Sequence, residues 1–270
     1  MHFEAPPINW NIDWNAIDWD APWLMPYKPI GIRLAEQVLL GSPVHVALNE
    51  ALDSNPNIDC PVRFVPQEES QGAAAYESFI WQTKTVPTRD NLHDFFNGLV
   101  WLHFPTIKAR LNELQAAAIE AAGVTQHRGK LRDALTLFDE NAAFLIEPKP
   151  ESVLLQAIQD KAWQHVFIDE REAWRDAQLI IFGHALLEKL MFPRKAMTAH
   201  VFCQPAPLHV MDDADIDRKV ASMLAPEHLA TKPYAPLPVM GVPNWCAENK
   251  DATFYDDTAV FRTCSQNRPI

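Results

Sequence analysis

The sequence is poor in glycine. Its 270 residues contain 8 glycines, fewer than half of the roughly 19 that an average usage of about 7% would give. Loops that bind phosphates or dinucleotides depend on glycines, because their backbone must approach the phosphate closely. No G-x-G-x-x-G, G-x-S-x-G or H-E-x-x-H motif occurs in the chain. The scarcity of glycine argues against a protein built around such a loop.

Positive charge is also scarce. The chain has 23 Lys and Arg against 35 Asp and Glu, which leaves a net charge of −12. Binding to nucleic acid or to an anionic membrane surface depends on clustered cations that displace counterions. We therefore expect neither nucleic acid nor a membrane among the partners.

Long apolar runs and paired cysteines are absent as well. The longest apolar stretch, residues 179–187, is half of what a membrane span needs, and the N-terminus has no secretory signal pattern. The four cysteines show no C-x-x-C pair and lie far apart: Cys60, Cys203, Cys246 and Cys264. Scattered cysteines in a chain of this length are typical of reduced thiols, so we expect a cytoplasmic protein.

Proline is abundant but unevenly distributed. Of the 22 prolines, ten lie in residues 1–87, four in residues 88–200 and eight in residues 201–270. Helix interiors exclude proline. We therefore predict a mainly α fold with minor β, as one domain over residues 1–270. Residues 1–87 would be a Pro/Trp-rich N-terminal arm and an irregular segment with short strands, residues 88–200 a helical body, and residues 201–270 a short helix and an irregular Pro-rich tail.

Apolar periodicity and capping residues place the predicted elements. Helices are predicted over residues 92–104, 107–122, 128–146, 151–168, 171–191 and 212–224, and short strands near residues 62–65 and 258–262.

Four tryptophans recur every four or five residues near the N-terminus, at Trp10, Trp14, Trp19 and Trp23. Each can bury about 150–250 Å2. We favour an arm that packs against its own domain. The alternative is a segment that docks a partner, because exposed aromatic anchors form interface hot spots.

The helix after residue 91 carries a polar stripe opposite its apolar face: Asp90, His93, Asp94, Asn97 and Trp101. Short polar side chains lose little entropy when they are fixed, so they suit a preorganised site. The alternative is a buried polar layer in which each group is hydrogen-bonded for structural reasons.

The helix predicted over residues 128–146 places Arg132, Thr136 and Asp139 on one side, with Glu140 at its edge. The Arg132 guanidinium is suited to hold an anionic group of a substrate. A solvated surface stripe is the alternative.

The helix predicted over residues 171–191 is apolar on nearly all sides, which predicts burial. Its exceptions include His184 and Glu188, which lie four residues apart and face the same way. Both side chains could bind one metal ion, or Glu188 could accept a hydrogen bond from the His184 imidazole. We favour the hydrogen-bonded pair.

Five sequence blocks together resemble an uncharacterised proteobacterial family that is known only as a domain of unknown function. They are VPTRDNLHDFFNGLVW at residues 86–101, RDALTLFDEN at 132–141, FGHALLEK at 182–189, MGVPNW at 240–245 and FYDDTAVFR at 254–262. The resemblance implies no assigned activity, cofactor or catalytic residue.

These patterns predict a hydrolase-type enzyme whose site lies where the helices with the three polar faces converge. The candidate catalytic residues are His93, Asp94, Asn97, Arg132, Asp139 and His184. The candidate ligands of a divalent metal ion, the one cofactor that we consider, are His93, Asp94, Asp139, Glu140, His184 and Glu188. The expected partner is a small-molecule substrate or a protein. The alternative function is a non-catalytic binding module whose polar motifs are structural networks.

Overall fold

The computed structural model describes residues 14–73, 75–122, 129–147, 153–204, 208 and 212–263. Ten α-helices lie in these ranges: α1 (Lys28–Leu39), α2 (Val44–Ser54), α3 (Tyr76–Thr83), α4 (Leu92–His103), α5 (Pro105–Ala122), α6 (Lys130–Asn141), α7 (Leu154–Gln159), α8 (His184–Lys189), α9 (Asp213–Met223) and α10 (Pro226–Leu229). The fold is therefore mainly α, as predicted. None of these helices combines the length and the apolar character that crossing a membrane needs.

The described strands form two small sheets. Their bounds are β1 (Arg63–Pro66), β2 (Thr85–Thr88), β3 (Ala142–Ile146), β4 (Gln178–Ile181), β5 (Thr198–Phe202) and β6 (Tyr234–Pro238). Strands β1 and β2 are parallel and enclose α3 in sequence. The second sheet has the order β4-β3-β5-β6, with β3 parallel to β5 and the other two pairs antiparallel.

The prediction that residues 1–87 are irregular apart from short strands is wrong, because α1, α2 and α3 lie there. Two prolines of this segment begin helices instead of excluding them. Pro29 occupies the first turn of α1, and Pro43 is the N-cap residue of α2. A missing N–H costs nothing at these positions, because the first amides of a helix have no intrahelical partner.

Three predicted helices in the middle of the chain are wrong in part. The helix predicted over residues 128–146 ends at Asn141, and β3 follows directly. Residues 171–191 hold a 3-10 turn, strand β4 and the six-residue helix α8. A short apolar run in a fully buried strand has no alternation, so periodicity does not separate it from a buried helix. Residues 151–168 likewise hold the short α7 and the start of a π-helical turn at His165–Asp169.

The strand predicted near residues 258–262 is also wrong. Asp257 accepts hydrogen bonds on its backbone oxygen from the amides of Val260 and Phe261, and on its side chain from Ala259 N–H. An Asp side chain that bonds the backbone two residues ahead stabilises a turn. The strand predicted near residues 62–65 is confirmed as β1.

Three of the four N-terminal tryptophans pack against their own chain. The rings of Trp14 and Trp19 lie edge-on to Phe95 of α4, with centroids 5.0 and 6.4 Å away. Trp23 is buried with its ring 5.6 Å from that of Trp245. Trp10 lies outside the described residues. The described part of the arm therefore packs on its own domain.

Candidate functional site

A cavity of about 310 Å3 opens where α3, α4, α5, α6 and α8 meet. Most of the side chains that line it are polar or charged. They are Gln67, Tyr76, Glu77, Ile80, Arg89, His93, Asp94, Asn97, Trp101, Lys108, Leu111, Asn112, Gln115, Thr136, Asp139, Glu140 and His184.

The structure brings together most of the residues that the sequence singled out. The predicted site residues in the cavity wall are His93, Asp94, Asn97, Asp139, Glu140 and His184. Glu188 does not line the cavity but forms a hydrogen bond with His93. Arg132 does not line the cavity, although Thr136 and Asp139 of the same helix do. Arg132 lies one turn nearer the N-terminus of α6 than Thr136.

The start of α4 is fixed by its cap. The side chain of Asn91 accepts a hydrogen bond from Asp94 N–H at 2.7 Å, as the N-cap pattern predicts. Asp90, the first member of the predicted polar stripe, instead accepts from Val44 N–H at the start of α2. The rest of the stripe lines the cavity, so α4 presents one polar face to the site.

Two histidines and one carboxylate form a hydrogen-bonded chain at the wall. His93 Nδ1 lies 2.8 Å from Glu188 Oε2, and His93 Nε2 lies 3.2 Å from His184 Nε2. His184 Nδ1 lies 2.8 Å from the backbone oxygen of Asp139. The predicted pairing of His184 with Glu188 is therefore wrong, because the carboxylate of Glu188 bonds the histidine of the neighbouring helix.

The hydrogen bonds and the electrostatics assign the same protonation states. The backbone oxygen of Asp139 only accepts, so His184 Nδ1 carries a proton and a neutral His184 has its lone pair on Nε2. His93 must then donate from both nitrogens, to Glu188 and to His184. The hydrogen bond that His93 donates to Glu188 raises the pKa of His93. Burial lowers the pKa of His184 to about 4. The opposite shifts favour a cationic His93 beside a neutral His184.

Arg89 and Asp94 form a bidentate pair at the rim of the cavity. Asp94 Oδ2 accepts from the Arg89 backbone N–H and from Nε, and Oδ1 accepts from Nη2, at 2.7 to 3.0 Å. Arg89 follows the end of β2, and Asp94 lies in the first turn of α4. The hydrogen bond to Asp94 raises the pKa of Arg89. The pair fixes the guanidinium while leaving N–H groups on Nη1 and Nη2 for other contacts.

Lys108 is the buried cation of the site, with a side chain 4% exposed. Its ammonium donates to Asn97 Oδ1 at 2.8 Å and forms an ion pair with Asp139. Burial opposes the charge of Asp139, but the attraction and hydrogen bond of Lys108 hold the pKa of this carboxyl below its usual range. Asp217 of α9 caps α5 by accepting from Ile107 N–H at 2.8 Å, which helps to position Lys108.

A family model for a protein of unknown function (DUF3025) matches residues 62–265. The chain belongs to this family. No curated protein and no solved structure matches the chain. The five blocks that resemble a domain of unknown function all lie within the matched range of the DUF3025 family.

Several wall residues of this DUF3025 chain were not predicted, although the sequence pattern marks them. Lys108, Asn112 and Gln115 lie at positions i, i+4 and i+7 of α5, which is one face of a helix. All three are buried although they are polar. Arg89 has a weaker signal, because its role depends on the turn between β2 and α4.

Three of the four carboxylates predicted to bind metal in this DUF3025 chain already have cationic partners. Asp94 faces Arg89, Asp139 faces Lys108 and Glu188 faces His93. Within the described ranges, no group of three or more His, Cys, Asp or Glu side chains is arranged to hold a metal ion. The predicted ligand set therefore does not converge as one set of donors.

Proposed function

We propose that this cavity is the active site of a hydrolase-type enzyme that acts on a small polar substrate by general acid–base catalysis. The supporting observation is the His93–His184 pair, whose members have neighbouring Nε2 atoms and pKa shifts of opposite sign. Environments that push the pKa values of two neighbouring groups apart are characteristic of acid and base partners.

In the proposed step, the substrate and a water molecule separate the two Nε2 atoms. His184 Nε2 accepts a proton as the water oxygen attacks the substrate, and His93 Nε2 donates its proton to the leaving group. The bond to the leaving group breaks as the bond to the water oxygen forms. A proton then passes from His184 back to His93, which restores the starting state. Glu188 orients the His93 ring and favours its cationic form.

Arg89 and Lys108 have positioning roles in this proposal. Asp94 holds the Arg89 guanidinium at the rim, and Lys108 connects α4 to α6 through Asn97 and Asp139. A reacting group must be held within fractions of an ångström of its partners, so such anchoring supports catalysis.

A non-catalytic binding module is the second candidate. The three cationic side chains of the wall each face a carboxylate, as they would in a polar network that only stabilises the fold. In that case the cavity binds a ligand without reacting with it.

We also propose a cytoplasmic location. The described cysteines, Cys60, Cys203 and Cys246, are free thiols in the structure. Free, widely spaced thiols support a reducing compartment.

The test is hydrolysis of a panel of small esters, amides and phosphate esters, followed by proton NMR. The variants are His93→Gln and His184→Gln, with His165→Gln as a control outside the cavity. We expect the wild type to hydrolyse at least one compound, and each cavity variant to lose about 10²- to 10⁴-fold in kcat. The control should keep its activity.

Activity retained in both cavity variants would contradict the assignment of the acid and the base. A wild type that hydrolyses no compound of the panel would favour the binding module.

A further inference from the structure

The charges of the cavity wall do not cancel. Three ion pairs each balance one cation with one carboxylate: Arg89–Asp94, Lys108–Asp139 and His93–Glu188. Two further carboxylates, those of Glu77 and Glu140, line the same cavity. Neither forms an ion pair or a side-chain hydrogen bond with any other residue in the part of the chain that the structure describes. The wall therefore has an excess of negative charge.

Buried carboxamides provide a second, independent indication of a ligand. Gln115 is 9% exposed and lines the cavity, and its side chain has no hydrogen-bond partner among the described residues. Its amide atoms remain accessible from the cavity, where a ligand can supply the hydrogen bonds that the protein does not.

In two more side-chain amides, an existing hydrogen bond determines which atom remains for a ligand. Asn97 Oδ1 accepts from Lys108, so the Asn97 NH2 group remains as a donor. Asn112 Nδ2 donates to the Glu77 backbone oxygen at 2.8 Å, so Asn112 Oδ1 remains as an acceptor. Both residues are 7% exposed and line the cavity. The wall thus offers a donor, an acceptor and the amide of Gln115 in one cavity.

We propose that the cavity binds a small organic cation, with an ammonium or guanidinium group at Glu77 and Glu140 and an amide-like group at the buried carboxamides. The inference rests on the proposed function in taking this cavity as the substrate site. It replaces the expectation of an anionic substrate, for which the sequence suggested Arg132. An anion would face two carboxylates that no cation offsets.

The test measures the dissociation constants of three capped amino acids for the full chain by NMR titration. The probes are N-acetyl-lysine amide, N-acetyl-glutamine amide and N-acetyl-glutamate amide, which share two amide groups and differ in charge. We expect the lysine probe to bind at least about tenfold more tightly than the glutamine probe, and the glutamate probe to bind most weakly. Added salt should reduce the preference.

The double variant Glu77→Gln/Glu140→Gln should reduce the preference for the lysine probe over the glutamine probe to about twofold or less. Its control is Glu36→Gln/Glu120→Gln, which removes the same charge from exposed helix positions and should keep the preference. If the double variant does not fold, each single variant should lose part of the preference.

Equal binding of the three probes, tighter binding of the glutamate probe, or no binding of any probe would overturn the proposal. A preference that survives in the double variant would also overturn it. These outcomes are separate from the fate of the acid–base step, because affinity does not require turnover. If His93→Gln keeps both the preference and the turnover, the proposed catalytic step fails while the ligand class stands.

Discussion

At the scale of single residues, the two cavity histidines show how the environment divides one chemical group into two roles. His93 lies against a carboxylate and is partly exposed, whereas His184 is buried against a backbone oxygen. Two neutral rings would leave Nε2 lone pairs facing each other, and two cationic rings would repel. One shared proton between the Nε2 atoms satisfies both rings.

The pH dependence of stability should reveal the buried base. The folded pKa of His184 is about 4, below its ordinary value of 6.5, so the unfolded chain binds the proton first as the pH falls. His184 therefore destabilises the fold progressively from pH 6.5 down to about 4, by up to about 1.4 kcal/mol per pH unit. We expect His184→Gln to show a flatter dependence in this window. The measurement is urea unfolding of both proteins at several pH values; parallel curves would contradict the assignment.

At the scale of elements, the join between β4 and α8 sets the position of His184. A Cβ on Gly183 would come within 2.4 Å of Asn141 N and Glu140 O, which are backbone atoms of α6. Backbone moves less readily than a side-chain end, so this close approach requires glycine. The close approach of the Gly183 backbone to α6 places His184 beside Asp139.

Gly183→Ala should therefore destabilise the protein by about 1–3 kcal/mol and displace His184 from the cavity. Gly129→Ala is the matched control, because no atom of the described residues lies within 4 Å of the added Cβ and the glycine has no positive φ. Chemical denaturation measures both. Equal stability of the two variants would show that α6 and α8 can separate at little cost.

The same elements show how much of the fold and of the site could be predicted from the sequence. Helix α4 and its polar face were predictable, because the apolar spacing acts locally. Strands β3 and β4 were not, because they are short apolar runs whose state depends on the partners that bury them. Of the site, the polar stripe on α4 was recognisable. The pairing of Glu188 with His93 was not, because it joins residues 95 positions apart that only the tertiary fold brings together.

At the scale of the whole molecule, the N-terminal arm connects distant parts of the chain. The ring of Trp19 lies directly over Gly31 of α1 and near Phe95 of α4. Tyr27 donates to the backbone oxygen of Ile181 at the end of β4. The arm thus packs on α1 and α4, and Tyr27 bonds the end of β4, the strand that precedes α8.

Deletion of residues 1–25 should lower the Tm by several degrees, because a loss of about 1 kcal/mol costs about 2–4 °C at this size. Trp23→Ala should reproduce part of the loss, since Trp23 is 7% exposed. Trp81→Ala is the control, because its side chain is 42% exposed. Thermal unfolding measures all three, and an unchanged Tm of the deletion would favour an arm that serves to dock a partner.

The proposed acid–base pair requires His93 to carry the proton and His184 the lone pair. Side-chain nitrogen-15 NMR of the full chain at neutral pH tests it directly, with Glu188→Gln as the comparison. We predict two protonated nitrogens on His93, one protonated Nδ1 and an unprotonated Nε2 on His184, and a lower pKa of His93 in the variant, since the amide lacks the charge of the carboxylate. A neutral His93 in the wild type, or a His184 that takes up a proton before His93 does, would contradict the account.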